Sequence, residues 1–275
     1  MKLHIASSYG FCFGVNRAID LANKIEEGPR YLLGQIVHNK EVNDNLESKG
    51  FRLIDTPEDN TPGVGVIRAH GICKDVHKSF IDKGFTLLDG TCPIVKLNAS
   101  KAQKGVLPLI IVGKAKHPEI KFMVSYIQRP YVIVTNVDDI LQLNKKQCYD
   151  LVVQTTFSTE QFDKIKSKLE DEKIVYYQKN DICKASIERR DAVLKLCEIC
   201  DKIIIIGDKN SSNSQALKTL AESRGITSYL VSSADEITLD ILECDNLGLS
   251  SGASVADSTF ETIKNKILQL CPNCL

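Results

Sequence analysis

Leu109-Ile110-Ile111-Val112-Gly113 is followed four residues later by His117-Pro118-Glu119, and then by Ile120, Met123 and Ile127 at helical spacing. A short apolar run closed by glycine and passing into a helix reads as a buried parallel strand feeding an α/β crossover. The same arrangement stands upstream as Tyr31-Leu32-Leu33-Gly34, His38, Val42 and Leu46, and downstream as Ile203-Ile204-Ile205-Ile206-Gly207, Ser211, Leu217, Leu220 and Ala221. A cysteine precedes each glycine by 21 to 24 residues: Cys12, Cys92 and Cys183, each behind a strand-like stretch, Leu3 to Ile5, Phe85 to Leu88 and Ile174 to Tyr177. A second strand then ends in an acidic turn (Ile54-Asp55, Val134 to Asp138, Val231 to Asp235). A third ends at Arg68-Ala69-His70-Gly71, Gln154-Thr155-Thr156 or Ser250-Ser251-Gly252. Ser158 with Gln161 and Ser258 with Glu261 have capping-box spacing at two of the following helix starts.

This repeat predicts three parallel α/β modules over residues 13–91 (with the N-terminal strand, 1–12), 92–182 and 183–275, with ligands gathered at the carboxyl ends of the strands. The 275 residues carry 35 Lys plus Arg against 35 Asp plus Glu and are 43% hydrophobic, a globular composition with no general field to hold nucleic acid or an anionic membrane. Its longest apolar runs fall far short of the roughly 18 residues a spanning helix needs, so no membrane partner is expected. The start Met1-Lys2-Leu3-His4-Ile5 reads as a strand and not as a secretory apolar region, so a reducing cytoplasm is expected; there, ten cysteines would be buried hydrophobes, metal ligands or redox groups.

Three equivalent cysteines converging on a pseudo-threefold axis suit either a zinc with an open position or a 4Fe-4S cluster with one iron left free. His38-Asn39, His117-Pro118 and Ser211-Ser212-Asn213-Ser214 sit where strands pass into helices, and helix N-termini with such donors make a site for a phosphate or diphosphate. Glu119 breaks the repeat, because Lys40 and Asn213 hold its place elsewhere; beside a metal it would be a proton donor, with Thr155 and Thr156 able to relay. Cys197 and Cys200, in one CxxC pair, share a helical face with Val193 and Leu196 and read as core; the pair Cys271 and Cys274 stays open between packing, zinc and redox chemistry. Cys73, Cys148, Cys244, His4 and His77 read as structural or surface residues.

Gly10-Phe11-Cys12-Phe13-Gly14-Val15-Asn16-Arg17-Ala18-Ile19, Ile36-Val37-His38-Asn39, Ala69-His70-Gly71, Thr91-Cys92-Pro93, His117-Pro118-Glu119, Gln154-Thr155-Thr156, Asp181-Ile182-Cys183-Lys184-Ala185, Asn210 to Ser214 and Gly252-Ala253-Ser254 together resemble the 4-hydroxy-3-methylbut-2-enyl diphosphate reductase (LytB) family, over nearly the whole chain. The resemblance implies a trefoil of three pseudo-equivalent small parallel-sheet α/β modules around a central iron-sulfur cluster, one 4Fe-4S held by Cys12, Cys92 and Cys183. It further implies that His38, His70, His117, Ser211, Ser212, Asn213 and Ser254 hold the substrate diphosphate, that Glu119 is the proton source and that Thr155 lies beside the substrate hydroxyl. Electrons would come from a ferredoxin or flavodoxin, and a monomer is expected. Phe13, Lys114, the stretch 121–126 and Ser250-Ser251 depart from the family's pattern and bear on pocket shape. Two other readings compete. One is a triplicated three-cysteine cluster enzyme similar to quinolinate synthase, with Arg189 and Arg190 as its carboxylate contacts; the other is a zinc-binding interaction protein using the CxxC pairs.

Overall fold

A computed structural model describes residues 1–37, 39–58 and 60–272. The chain opens with β1 (Lys2–Ile5). It continues with α1 (Phe13–Asn23), β2 (Arg30–Leu33), α2 (Lys40–Ser48), β3 (Phe51–Ile54), β4 (Val64–Ile67), α3 (Lys74–Asp82) and β5 (Thr86–Asp89). The middle stretch holds α4 (Pro93–Gln103), β6 (Leu109–Val112), α5 (Pro118–Val124), β7 (Tyr131–Val134), β8 (Cys148–Val153), α6 (Thr159–Asp171) and β9 (Val175–Gln178). The last holds α7 (Lys184–Cys197), β10 (Lys202–Ile206), α8 (Ser212–Ser223), β11 (Thr227–Val231), α9 (Leu239–Leu242), β12 (Asn246–Ser251) and α10 (Asp257–Leu270).

These strands make three four-stranded sheets in which every pairing is parallel, ordered β3-β2-β4-β5, β7-β6-β8-β9 and β11-β10-β12-β1. The α/β repeat is therefore real, and the three sheets share one strand order. One expectation is corrected. The N-terminal strand, grouped above with the first module, pairs with β12 in the third sheet, Leu3 opposite Leu247 and Ile5 opposite Leu249. In the first two sheets the fourth strand follows the third within the same stretch of chain; in the last, β1 covers the edge of β12, whose unpaired backbone groups would otherwise be exposed. The His4 ring adds a 3.1 Å contact to the Asn246 side chain.

The chain divides into two compact units, Met1–Val15 with Val37–Leu46 and Lys184–Leu275, and Asn16–Ile36 with Glu47–Cys183. In the first unit β10 shows why an unbroken apolar run is needed. Ile203 and Ile205 pack with Ala192, Val193, Leu196, Leu217 and Leu220 on one face, while Ile204 and Ile206 pack with Phe260, Ile263 and Ile267 on the other. Each such side chain contributes about 1.5–3 kcal/mol of burial, and successive residues face opposite helical layers. In the second unit Leu109, Ile111 and Val152 lie against Val95, Ala99, Ile120 and Met123, while Tyr31, Leu33 and Ile67 lie against Ile72, Phe80 and Phe85.

Cys197 and Cys200 belong to the core beside Val193 and Leu196, as their helical face predicts, and burial pushes the Cys200 thiol up to about 12. Cys271 packs on the α10 side of the same sheet, and Cys274 lies outside the described residues. Ser158 caps α6 by accepting from the Gln161 amide. Ser258 is no cap: α10 starts one residue earlier, behind Ala256, and the Ser258 hydroxyl donates to Glu41. No helix among the described residues is long and apolar enough to cross a membrane.

Candidate functional site

The three cysteines stand in equivalent backbone settings. Each lies one residue before a helix, at the starts of α1, α4 and α7. Each amide donates to the carbonyl two residues beyond the third strand of a sheet: Cys12 to Ala253 (3.1 Å), Cys92 to Ala69 (2.9 Å) and Cys183 to Thr155 (3.0 Å). None is tied in a disulfide, and all three are half-buried. Cys12 belongs to one compact unit, and Cys92 and Cys183 to the other. Among the described residues no three His, Cys, Asp or Glu side chains stand together as a metal group. The chemistry of the donor set nevertheless fits an iron-sulfur cluster: three thiols on pinned backbone at helix N-termini, the positions from which thiolates bind metal.

In the second unit Glu119, in the first turn of α5, is fully buried. Its Oε1 accepts from the Thr155 amide (2.9 Å) and its Oε2 from the Thr155 hydroxyl (2.6 Å). Burial dominates over these two donors and lifts the carboxyl to about 7, so both protonation states are populated near neutrality. Thr155 thus links acid and cysteine, donating to Glu119 and accepting from Cys183. His117 is the N-cap of α5; its Nδ1 accepts from the Glu119 amide (3.2 Å), which leaves Nε2 as the protonated donor. The His70 ring stands edge-on to His117 at 5.2 Å.

The first unit repeats this wiring with a neutral side chain. Asn213, like Glu119 six residues past a strand-end glycine, accepts at Oδ1 from the Ala253 amide (3.1 Å), and the Ala253 carbonyl accepts from Cys12. Ser211 is the N-cap of α8 and Ser212 its first residue. Asn39 caps α2 through the Val42 amide and donates to the Ser254 carbonyl (3.0 Å), which ties the start of α2 to another predicted diphosphate residue. His38 lies outside the described residues. A cavity of about 450 Å³ opens at the carboxyl ends of β10 and β11. Glu41, Asp44 and Asp208 line it, a poor setting for an anion, so the diphosphate reading rests on Ser211 to Asn213 and Ser254 instead.

Two buried residues that the sequence reading quoted within motifs, without a role of their own, turn out to shape the site. Ser214 is wedged between Gly207 and Gly252, at either of which a Cβ would fall 2.1 Å from its hydroxyl; the two glycines at strand ends were the available signal. Gln154 is fully buried and spans the Lys114 amide and the Thr156 hydroxyl. The divergent stretch 121–126 is largely packing. Phe122 and Met123 are core, and the Ser125 hydroxyl caps the Lys74 amide at the start of α3. Arg189, which the quinolinate-synthase-like reading needs for carboxylates, is 3% exposed and donates to the carbonyls of Gly10 and Ala185.

Fold and site together define a triplicated parallel α/β protein with three helix-start cysteines and a buried acid joined to one of them. A family model for the LytB protein matches residues 3–268. The 4-hydroxy-3-methylbut-2-enyl diphosphate reductase of Caldanaerobacter subterraneus subsp. tengcongensis is 35% identical over 287 residues, covering 98% of each chain. That of Campylobacter hominis is 33% identical, covering 98% of this chain and 100% of its own length. Among solved structures, the E-1-hydroxy-2-methyl-but-2-enyl-4-diphosphate reductase from Plasmodium falciparum matches with a TM-score of 0.89 at 28% identity, covering 96% of this chain and 87% of that one. The chain belongs to the LytB protein family.

Proposed function

We propose that this chain reduces 4-hydroxy-3-methylbut-2-enyl diphosphate to isopentenyl and dimethylallyl diphosphates, the closing step of the non-mevalonate isoprenoid pathway. The observation that carries the reading is the buried link from Glu119 through Thr155 to Cys183, on a chain related from end to end to reductases of that name. Cys12, Cys92 and Cys183 would hold one 4Fe-4S cluster, which when bound supplies electrons and an open iron for the substrate hydroxyl. The overall change breaks the allylic C–O bond, consumes two electrons and two protons, and yields a C–H bond and water. The electrons come from a ferredoxin- or flavodoxin-type donor, one at a time.

The residues of the chain supply orientation and protons. His70, His117, Ser211, Ser212, Asn213 and Ser254, with His38, bind the diphosphate through ring, hydroxyl, amide and backbone donors. Glu119, lifted to about 7, keeps a protonated population at neutral pH and gives that proton to the departing hydroxyl, which leaves far more readily as water. Thr155 fixes both carboxyl oxygens and passes protons through its hydroxyl. The described cysteines, all outside disulfides, suit the reducing cytoplasm, and the protein works there as a single chain.

The test is iron, sulfide and zinc analysis of protein purified without oxygen, followed by turnover of the hydroxylated allylic diphosphate with a reduced viologen. About four irons and four sulfides per chain, with both products formed, supports the reading. Zinc without sulfide turns attention to the zinc-scaffold alternative, and a full cluster with no reduction overturns the substrate assignment.

A further inference from the structure

Two of the cysteine loops are gripped by arginines that come from helices which themselves begin at a cysteine. Arg17, five residues past Cys12 on α1, donates through Nη1 to the carbonyls of Asp89 (2.9 Å) and Thr91 (3.3 Å), and Thr91 directly precedes Cys92. Arg189, six residues past Cys183 on α7, donates through Nη2 to the Gly10 carbonyl (2.6 Å), two residues before Cys12, and through Nη1 to the carbonyl of Ala185 (2.8 Å). The third loop differs. At the same offsets past Cys92 stand Leu97 and Asn98. The approach to Cys183 is held by a neutral amide, Asn180, which accepts from the Val153 amide and donates to the Val153 carbonyl, each at 2.8 Å. The Gln178 amide in turn donates to the Asn180 carbonyl (2.9 Å).

We propose that Arg17 and Arg189 are positioning residues for the cluster: each fixes the loop that presents a cysteine ligand and sets a permanent positive charge beside it. The inference rests on the cluster reading above. A guanidinium offers donors in a rigid planar fork and stays protonated at any working pH, so it anchors carbonyls that a flexible ammonium holds less well. A cluster on three thiolates becomes more negative on reduction. A cation fixed close by, in surroundings that screen it less than water does, favours the reduced state and raises the potential. Arg189 is the stronger case because it is almost wholly buried, whereas Arg17 is half-buried.

The experiment compares anaerobically purified wild type, Arg189→Lys, Arg189→Met and Arg17→Met for iron and sulfide content, midpoint potential and the electron paramagnetic resonance spectrum of the reduced protein. Expected are a full cluster in the wild type and less than half of it in Arg189→Met. The loaded fraction of that variant has a lower potential and an altered spectrum, and Arg189→Lys recovers the potential and most of the cluster. Arg17→Met shows the same direction with a smaller loss, and it carries the test if Arg189→Met does not fold. Methionine variants that lose thermal stability but keep full cluster, potential and spectrum overturn the proposal, since packing alone moves only the first. Wild-type protein without iron and sulfide overturns the cluster reading itself, and is recognised before any variant is compared.

Discussion

Glu119→Gln separates the proposed role of this carboxyl as an acid from its structural cost. A carboxyl that titrates at 4.5 in the unfolded chain and at about 7 in the fold binds its proton more tightly when folded. The native state therefore holds more protons than the unfolded chain between those values, and its stability falls as pH rises through that window. At ~1.4 kcal/mol for each tenfold change in proton affinity, the loss reaches about 3 kcal/mol above pH 7. Glutamine carries no charge and escapes it. Its Oε1 can accept from the Thr155 amide as before and its Nε2 can donate to the Thr155 hydroxyl, so both contacts survive, the second with donor and acceptor exchanged. Urea unfolding of the loaded proteins under anaerobic conditions should give nearly equal stabilities at pH 4.5, and a variant more stable by about 3 kcal/mol at pH 8.5. Turnover should meanwhile fall by roughly 10²–10⁴-fold, the usual worth of a positioned general acid. A stability difference that is the same at both pH values refutes the elevated acid, and near-normal turnover removes Glu119 from the mechanism.

Thr155→Val deletes the hydroxyl that lowers the Glu119 pKa but leaves the amide; the alkaline limb of the rate profile should move to higher pH while kcat falls, and an unmoved limb would separate the two residues. Asp150 is 3% exposed between Arg129 (2.5 Å) and Lys179 (2.9 Å). Its burial works to raise the carboxyl, and the hydrogen bonds from Arg129 and Lys179 outweigh that and hold it below the usual range. The stability it contributes is present above the unfolded carboxylate pKa and lost as pH falls through the lower folded one. Asp150→Asn should cost about 3 kcal/mol at pH 7 in urea unfolding and much less in acid. Cys200→Ser, in the core, should lower stability by about 1–2 kcal/mol yet keep full iron and sulfide, whereas Cys12→Ser should lose the cluster.

Much of the fold was legible because strands buried on both faces must be apolar without interruption, and four-residue runs such as Ile203 to Ile206 admit few other readings in a repeat. The placement of β1 was not legible. Its partner β12 lies at the far end of the chain, and nothing local in Lys2 to Ile5 says which sheet edge it closes. Ser258 shows a similar limit: its spacing to Glu261 fits a capping box, but the helix start is fixed one residue earlier and the hydroxyl is taken by Glu41. The grips of Arg17 and Arg189 were hidden for the same reason, since their acceptors are backbone carbonyls 72 and 179 residues away and carry no side-chain signature.

Glu119 was legible as a break in the repeat and as a candidate proton donor, but the burial that lets it hold a proton near neutrality was not, and the structure supplies it. In both units a side chain six residues past a strand-end glycine accepts from an amide two residues beyond the third strand, and that residue's carbonyl accepts from a cysteine amide. Among the described residues, the repeat fills one backbone slot with two different side chains. Asn213 fills it with a neutral acceptor that braces the Cys12 loop and has no proton to give. Glu119 fills it with a group whose ionised form the surrounding burial penalises, so that bracing the Cys183 loop and storing a proton become one act. Symmetry thus accounts for how the cysteines are presented, and the departure from symmetry accounts for why a proton waits beside only one of these two.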